Sequence, residues 1–329
     1  MVKYFFNLAY IGTNLRGVSK NVQEISHCFD SNSVAGLLEL ALARLFPSQP
    51  VVYISSRTDA GVHAINSSAH FRVKEPSETQ RQSCYSIANE VNRYFLKNQC
   101  DIRVSNVRIV PEEFHARHSA QSRTYLYRFA VIKPEAQCLD PKIYGKHFHP
   151  TPIVENNRCY FVFNSIFDYE KVQKAAEILI GDHDFATFMS KPTSQDNIDK
   201  NTVRSVYKLE VRPGTPFISS FFDPVVENWN YWELFCHGKS FLYKQVRRFL
   251  STLITVGQGR ISIEDVQRMI DEPGKDSWSS KIFLVPPHGL YLLNVEYNPE
   301  DFIFKQENGD ITAREEEKVE SDGNKGDLQ

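Results

Sequence analysis

Hydrophobic and polar residues alternate along the first ten positions of the chain. The alternating apolar residues are Val2, Tyr4, Phe6, Leu8 and Tyr10. A spacing of two residues predicts a β-strand with one buried face. Between Val34 and Leu45 the apolar positions recur at helical spacing instead, with Ser33 placed to cap the helix and Pro47 to end it. The chain therefore opens with a strand followed by a helix.

The pattern continues to residue 117 with three more strands and a second helix. The predicted strands are 51–54, 69–73 and 102–110. Apolar residues at helical spacing from Ile87 to Phe95 predict the helix. The segment SSRTDAGVHA, residues 55–64, follows an apolar run with an arginine, an aspartate, a glycine and a histidine, and we expect it to form a loop. The order of elements is β-α-β-β-α-β.

Residues 118–299 repeat this order. The predicted strands are 122–132, 202–211, 230–238 and 289–297. One helix is predicted in YEKVQKAAEILIGDHDF and another in GKSFLYKQVRRFLSTLITVG, beginning near Ser240. Prolines and glycines mark residues 133–164 and 213–230 as loops or insertions.

The repeated order predicts an α+β fold of two tandem ferredoxin-like halves, residues 1–117 and 118–299. Their sheets can join edge to edge into one extended mixed or antiparallel sheet, with helices on one side and a central cleft. Residues 300–329 differ from both halves. They hold ten acidic and four basic residues and no aromatic residue past Phe304, which predicts a disordered acidic tail.

Composition restricts the class of protein. The chain has 329 residues, of which 41% are hydrophobic and 24% charged, as in a soluble globular protein. No apolar run approaches the roughly 18 residues of a membrane helix, and the start lacks the pattern of a secretory signal. The six cysteines form no CxxC pair, which argues against a zinc ribbon or a disulfide scaffold and favours a reducing compartment. The net charge is -2, yet without the tail 34 basic residues face 30 acidic ones, so the body is basic.

Two charged positions stand out. Asp59 follows Arg57 by two residues, and such a pair taken alone is typical of a solvated hairpin loop. In the helix beginning near Ser240, Lys244 and Arg248 are predicted to point to solvent, while Arg247 lies at the edge of the apolar stripe. From there its stem can pack on the core and its guanidinium can pair with a partly buried carboxylate. The alternative is an arginine whose end reaches solvent.

Five motifs together identify a family. They are RTDAGVHA, FHARHSAQSRTYLYR, GDHDFATF, SFLYKQVRRFL and HGLYLLNVEY. In this order and spacing they resemble the TruA family of tRNA pseudouridine synthases, from about residue 3 to about residue 298. Within the family the chain is most similar to an animal branch.

The resemblance implies an isomerase that needs neither metal nor cofactor. Family members detach uracil from its ribose at nitrogen, rotate the base in a closed pocket and rejoin it through carbon. Asp59 resembles the nucleophile, and Arg57 the arginine that helps to extrude the target nucleotide. Arg247 resembles the partner of the nucleophile. Tyr125 resembles the tyrosine that stacks on the uracil and is a candidate base, and Leu290 a leucine that walls the pocket.

Some of these residues also have plainer interpretations. Tyr125 could pack within a sheet, and Leu290 could be ordinary core. For His63, His115 and His183, capping or structural hydrogen bonds are favoured over catalysis. Four further residues could suggest a metal, but their spacing is irregular and no metal site is predicted. They are Cys138, His147, His149 and Cys159.

The resemblance further implies tRNA as the partner, modified in its anticodon stem-loop, and a homodimer that grips one tRNA with both subunits. No membrane partner is expected. The animal branch suggests mitochondria, but the sequence begins with a strand pattern and no Arg-rich, Ser-rich leader, so mitochondrial and cytoplasmic locations both stay open.

The chain departs from the family near its start. Most members read YDGT and then GWQ, whereas this chain has Ile11 in place of the acid and Val18-Ser19 in place of the Trp-Gln pair. Because these positions are far from the catalytic set in sequence, the departure puts substrate contacts of the first loop in doubt and leaves the chemistry intact.

Three hypotheses of function follow. The first is a tRNA pseudouridine synthase. The second is a catalytically silent RNA-binding protein on the same scaffold, against which the intact Asp59, Tyr125 and Arg247 count. The third is an unrelated hydrolase with an aspartyl nucleophile, for which the sequence shows no cluster of metal-binding acids and no pair that would activate water.

Overall fold

A computed structural model describes residues 1–20, 30–74, 82–136, 150–190 and 201–304. In these ranges it has ten β-strands and five α-helices, so the architecture is mixed α+β. The strands are β1 (Val2–Tyr10), β2 (Val52–Ile54), β3 (His63–Val73), β4 (Ile102–Val110), β5 (Ala120–Ile132), β6 (Tyr160–Val162), β7 (Gly181–Asp184), β8 (Val203–Pro213), β9 (Trp229–Gly238) and β10 (Leu290–Tyr297). The helices are α1 (Val34–Ala43), α2 (Cys84–Lys97), α3 (Tyr169–Ile178), α4 (Gln245–Gly257) and α5 (Ile263–Asp271). Among these described helices, none has both the length and the apolar composition needed to cross a membrane.

The ten strands form one mixed sheet. Its order is β4-β1-β3-β10-β5-β9-β8-β7, with β2 added beside β3 and β6 beside β5. Neighbouring strands are antiparallel except at two places, where β10 runs parallel to β3 and β6 parallel to β5. The β3–β10 pairing is short and places His63 opposite Tyr291 and Ala64 opposite Leu292. Because β3 begins directly after the SSRTDAGV segment, that loop lies where the first four strands meet the rest of the sheet.

The alternation along β1 separates the two faces of the sheet. Tyr4 and Phe6 pack in the main hydrophobic core, to which all five helices contribute buried residues. Phe5, between them, faces the other way and joins a smaller cluster. There its ring meets those of Phe114 and Phe302 edge to face, at centroid distances of 5.4 and 5.3 Å. The helices therefore cover one face, and small aromatic clusters cover parts of the other.

The predicted start of the first helix is confirmed. Ser33 is the N-cap of α1, and its hydroxyl accepts the Gly36 N–H at 3.2 Å. This hydrogen bond satisfies one of the N–H groups that the first turn of a helix leaves without a helical partner.

Three predicted boundaries were wrong. Helix α3 ends at Ile178, and Gly181–Asp184 form β7 instead of continuing the helix. Strand β3 begins at His63 rather than at residue 69, because its polar residues conceal the alternation. Helix α4 begins at Gln245 rather than near Ser240. Lys244 has a φ of 63°, in the left-handed region, so the helix does not extend through it. No side chain caps the start of α4, and the Gln245 side chain instead bonds to the segment before the helix, since its Oε1 accepts the Leu242 N–H at 2.7 Å.

The first residues of the predicted tail are part of the packed body. Pro299–Phe302 form a 3-10 turn, and the ring of Phe302 packs on Arg108, whose guanidinium carbon lies 3.7 Å from the ring centroid. The acidic residues beyond 304 lie outside the described ranges, as do Cys138, His147 and His149.

Candidate active site

A tight turn between β2 and β3 presents Asp59. The Val62 N–H donates to the Asp59 carbonyl at 3.2 Å and closes the turn. Gly61 has a φ of 79°, which favours glycine, and a side chain there would begin 3.0 Å from Pro287. The turn therefore packs against the segment that leads into β10.

Asp59 forms an ion pair with Arg247. Arg247 Nη1 donates to Asp59 Oδ2 at 3.2 Å, and the two side chains are 10% and 23% exposed. In the described part of the chain no group donates to the other carboxylate oxygen, Oδ1. Asp59 thus has one oxygen held by a cation and one oxygen available to a ligand.

Helix α4 brings Arg247 to this place. Its neighbours Val246, Phe249 and Leu250 are buried in the main core, so Arg247 lies at the edge of the apolar stripe with its stem covered. Its Nε donates to the Val285 carbonyl at 3.0 Å. The guanidinium is thereby held from two directions.

The prediction for Arg248 was wrong. Instead of pointing to solvent, Arg248 donates from Nη1 to the Thr187 carbonyl at 2.6 Å and from Nε to Ser190 Oγ at 3.2 Å. Its guanidinium carbon lies 4.1 Å from the centroid of the Trp278 ring. These partners are far away in sequence, and the helical pattern alone gave no sign of them.

Tyr125 lies in β5, where the negative charge of Asp59 acts on its phenol. Its hydroxyl is hydrogen-bonded to Ser56 Oγ at 3.0 Å, and its ring meets Phe241 edge to face at 5.3 Å. Burial raises the pKa of Tyr125, the Ser56 hydrogen bond opposes that rise, and the negative charge of Asp59 adds to it. The phenol is therefore neutral near pH 7.

The other two predicted residues, Arg57 and Leu290, make no side-chain hydrogen bond or ion pair with Asp59 or Arg247 in the described structure. Arg57 is exposed and makes no hydrogen bond or ion pair with any described residue. Leu290 is buried at the start of β10, opposite Tyr127. Two residues further along β10, Leu292 pairs with Tyr125.

Sequence reasoning missed Arg123, whose side chain connects several backbone segments around the site. Its guanidinium donates to four backbone carbonyls, those of Ser55 (3.3 Å), Arg117 (3.0 Å), Ala120 (3.4 Å) and Lys239 (2.9 Å). Ser55 begins the Asp59 loop, and Lys239 precedes α4. Arginine fits this task because it offers five N–H donors in a rigid plane. The only sequence signal was its place in the motif SRTYLYR.

Sequence reasoning also missed how close the first loop lies to Asp59. Gly17, with a φ of 116°, packs against the loop so closely that a side chain would begin 3.0 Å from the Thr58 carbonyl. The Val18 N–H donates to that carbonyl at 3.3 Å, and the Tyr10 hydroxyl is bonded to Thr58 Oγ1 at 2.7 Å. Val18, which departs from the family pattern, is therefore part of the support beneath the turn.

The three motif histidines make structural hydrogen bonds. The Gly12 N–H donates to His63 Nδ1 at 2.9 Å, so His63 carries its proton on Nε2, which lies 3.0 Å from the carbonyls of Asn157 and His288. Burial lowers the pKa of His63 and keeps it neutral. His115 Nδ1 accepts the Arg117 N–H at 3.1 Å, and His183 Nε2 donates to the Ile180 carbonyl at 2.8 Å.

In the described ranges, no three residues among His, Cys, Asp and Glu come together as metal ligands would. Cys159 is buried and free, and burial raises the pKa of its thiol.

Comparison with known proteins agrees with the motifs. Residues 175–298 match the sequence model of a family described as tRNA pseudouridine synthase. The chain is 33% identical over 302 residues to tRNA pseudouridine synthase-like 1 of Mus musculus, covering 90% of this chain and 94% of that protein. It is 29% identical over 300 residues to tRNA pseudouridine synthase-like 1 of Xenopus laevis, covering 90% and 91%. It is also 29% identical over 296 residues to tRNA pseudouridine synthase A of Ehrlichia canis, covering 90% and 100%. The chain belongs to the TruA family of tRNA pseudouridine synthases.

Proposed function

We propose that this protein converts uridine to pseudouridine in the anticodon stem-loop of tRNA, with Asp59 as the nucleophile. The observation that carries the proposal is the Asp59–Arg247 pair, in which Arg247 holds Oδ2 and no described residue hydrogen-bonds Oδ1. A covalent catalyst needs this combination, because the carboxylate must stay charged and must also keep an oxygen free to form a bond.

The reaction conserves atoms and electrons. In the route through the ribose, Asp59 Oδ1 bonds to C1′ as the N1–C1′ bond breaks, and the electron pair of that bond passes to N1. The detached uracil rotates, C5 bonds to C1′, and the Asp59–C1′ bond breaks with its electron pair returning to the carboxylate. The proton on C5 then leaves and N1 takes up a proton. Attack by Asp59 on the base ring instead would release the same C5 proton.

Tyr125 is proposed to stack on the uracil and to assist the loss of the C5 proton. Because burial keeps its phenol protonated, Tyr125 can accept a proton only while passing its own to Ser56 Oγ, 3.0 Å away. The partly exposed Ser56 would release its hydroxyl proton to solvent in the same step. Leu290 would wall the pocket. The exposed Arg57, two residues before Asp59, would help to extrude the target nucleotide.

Two features of the whole molecule belong to the same proposal. The first half has the strand order β4-β1-β3-β2 and the second half the order β10-β5-β9-β8. If the four strands of each half are numbered along the chain, both orders read 4-1-3-2, which supports two tandem ferredoxin-like halves divided near residue 117. The resemblance to the family supports a homodimer that binds one tRNA. Light scattering of the purified protein would give a mass of about twice 37.9 kDa for a dimer.

The variant Asp59→Asn tests the proposed chemistry. Asparagine is nearly isosteric but is neither charged nor nucleophilic, so pseudouridine formation should fall by several powers of ten. Binding of tRNA should be unchanged, because affinity comes mainly from basic contacts to phosphates. The measurement is tritium release from tRNA labelled at uridine C5, beside a filter-binding titration. A parent protein that binds tRNA and releases no tritium would favour the silent RNA-binding alternative.

A further inference from the structure

A buried hydroxyl on α4 closes a ring of hydrogen bonds around Arg247. Ser251 lies one helical turn after Arg247, is 1% exposed, and donates from Oγ to the Arg247 carbonyl at 2.8 Å. The same oxygen accepts the Val285 N–H at 2.9 Å. The Val285 carbonyl in turn accepts from Arg247 Nε at 3.0 Å. Two residues thus join the backbone of Arg247 to its own side chain.

This ring sets the direction of the guanidinium. Val285 holds Nε while Nη1 donates to Asp59, so a displacement of the Val285 carbonyl would turn the planar group away from the carboxylate. Val285 lies between α5 and β10, in neither a helix nor a strand. Within the described ranges, its backbone makes no hydrogen bonds other than the two in the ring. The Val285 side chain packs in the main core and the Tyr127 hydroxyl donates to the next carbonyl, that of Pro286, so Ser251 fixes the Val285 backbone where Arg247 meets it.

We infer that Ser251 is a positioning residue, which places Val285 so that Arg247 meets Asp59 in the reactive geometry. The inference rests on the proposed roles of Asp59 and Arg247. Ser251 is buried and touches no substrate. Its loss should slow the chemical step and leave tRNA binding unchanged.

The same helix supplies matched controls. Thr252 Oγ1 donates to the Arg248 carbonyl at 3.0 Å, and Thr255 Oγ1 to the Ser251 carbonyl at 2.7 Å. Both residues are buried, and in the described structure neither hydroxyl bonds to the Val285 segment. Like the Ser251 hydroxyl, both donate to the carbonyl four residues earlier in the helix. Only the Ser251 hydroxyl also accepts the Val285 N–H.

The experiment compares Ser251→Ala with Thr252→Val. For each variant, kcat for tritium release, the Kd for tRNA and the thermal midpoint are measured. Ser251→Ala should lower kcat roughly 10- to 100-fold, since a misplacement of about 1 Å can slow a reaction to this extent, with the Kd within about twofold of the parent. Thr252→Val should keep the parent kcat. Ser251→Thr, which retains a hydroxyl, should recover most of the rate.

A double variant shows whether Ser251 acts through Arg247. In Arg247→Lys the Nε donor is gone, so adding Ser251→Ala should lower kcat little further. If the two losses multiply, Ser251 acts elsewhere and the inference fails. It also fails if Ser251→Ala retains the parent kcat, or if Thr252→Val loses as much. Should Ser251→Ala not fold, Ser251→Cys gives the graded test, because its weak donor should give an intermediate kcat and a parent kcat would contradict the inference.

This outcome can be told apart from failure of the proposed function. A parent protein that releases no tritium from any tRNA overturns the proposed function, and the positioning role falls with it. An active parent with an unimpaired Ser251→Ala variant overturns the positioning role alone.

Discussion

Among the described residues, two arginine–carboxylate pairs lie in the interior of this protein, and they differ in how much of the carboxylate is left open. Arg128 and Glu155 are 5% and 0% exposed and are joined by contacts of 2.6 and 3.0 Å. Arg247 and Asp59 are 10% and 23% exposed and share a single contact of 3.2 Å. Both carboxylate oxygens of Glu155 accept hydrogen bonds from Arg128. In the second pair Arg247 bonds to Oδ2 of Asp59, and Oδ1 is left open.

The surroundings of Glu155 are the reason why we propose no reactive role for it. Its Oε1 also accepts the Phe217 N–H at 2.6 Å, and Arg128 donates to the Thr215 carbonyl at 2.9 Å. The Phe217 ring lies 3.5 Å from the guanidinium carbon of Arg128. These contacts attach the loop after β8 to β5, so the pair supports the fold. In our proposal the same chemical groups thus serve structure where both carboxylate oxygens are bonded, and chemistry where one is left open.

The largest effect we expect on stability is from Glu155→Gln. The substitution leaves the Arg128 guanidinium buried without an opposite charge, which should lower the free energy of unfolding by about 3–5 kcal/mol. Urea unfolding of parent and variant measures the difference. The double replacement of Arg128 by Met and Glu155 by Leu should lose less, because no charge then stays buried. A Glu155→Gln variant as stable as the parent would show that the pair contributes little.

The next effect concerns Arg247→Lys. A single ammonium cannot donate to both the Val285 carbonyl and Asp59 Oδ2 in the geometry of the guanidinium, so kcat should fall roughly 10²- to 10³-fold. The thermal midpoint should change far less than in Glu155→Gln, since a positive charge is retained beside Asp59. Steady-state tritium release and calorimetry on the same preparation measure both. A variant with lost stability and parent kcat would mean that this pair is structural as well.

The smallest effect we expect is on the pH dependence of stability, and it comes from a buried histidine. His70 is 1% exposed, and burial, followed by the positive charges of His115, Lys3 and Arg72, lowers its pKa to about 3. The unfolded chain binds this proton near pH 6.5 and the folded chain does not, so stability is present above that pH and is lost as the pH falls. The loss should approach about 1.4 kcal/mol per pH unit for this one group.

The variant His70→Asn isolates that contribution. Asparagine offers an oxygen to the Ala116 N–H, which donates to His70 Nδ1 at 3.1 Å in the parent, and it does not titrate. The stability difference between parent and variant should therefore shrink as the pH is lowered from 7 to 5, as followed by urea midpoints. Parallel stability curves would contradict the assignment to His70.

The sequence predicted those features that depend on local pattern. Strands such as β1 and the Ser33 cap follow from neighbouring residues, and the motifs located Asp59, Tyr125 and Arg247. Features that depend on distant contacts were missed. The Arg128–Glu155 pair is an example, because Glu155 lies in a segment interpreted as a loop.

The site shows the same limit. Ser251 resembled any small residue of a buried helix, because its role depends on Val285, 34 positions away. The burial of Arg248 against Trp278 likewise depends on a distant segment. A pattern read along the chain reports which face of an element is buried, and it does not report which distant polar group that face meets.

The central claim is that the open carboxylate reacts and the closed one does not. The most direct test measures tritium release per folded molecule for Asp59→Asn and Glu155→Gln side by side, at a temperature where both are folded. We predict that Asp59→Asn keeps the thermal midpoint near that of the parent and releases no tritium, whereas Glu155→Gln has a lower midpoint and releases tritium at the parent rate. Turnover by Asp59→Asn within about tenfold of the parent would contradict the account, since the nucleophile contributes several powers of ten.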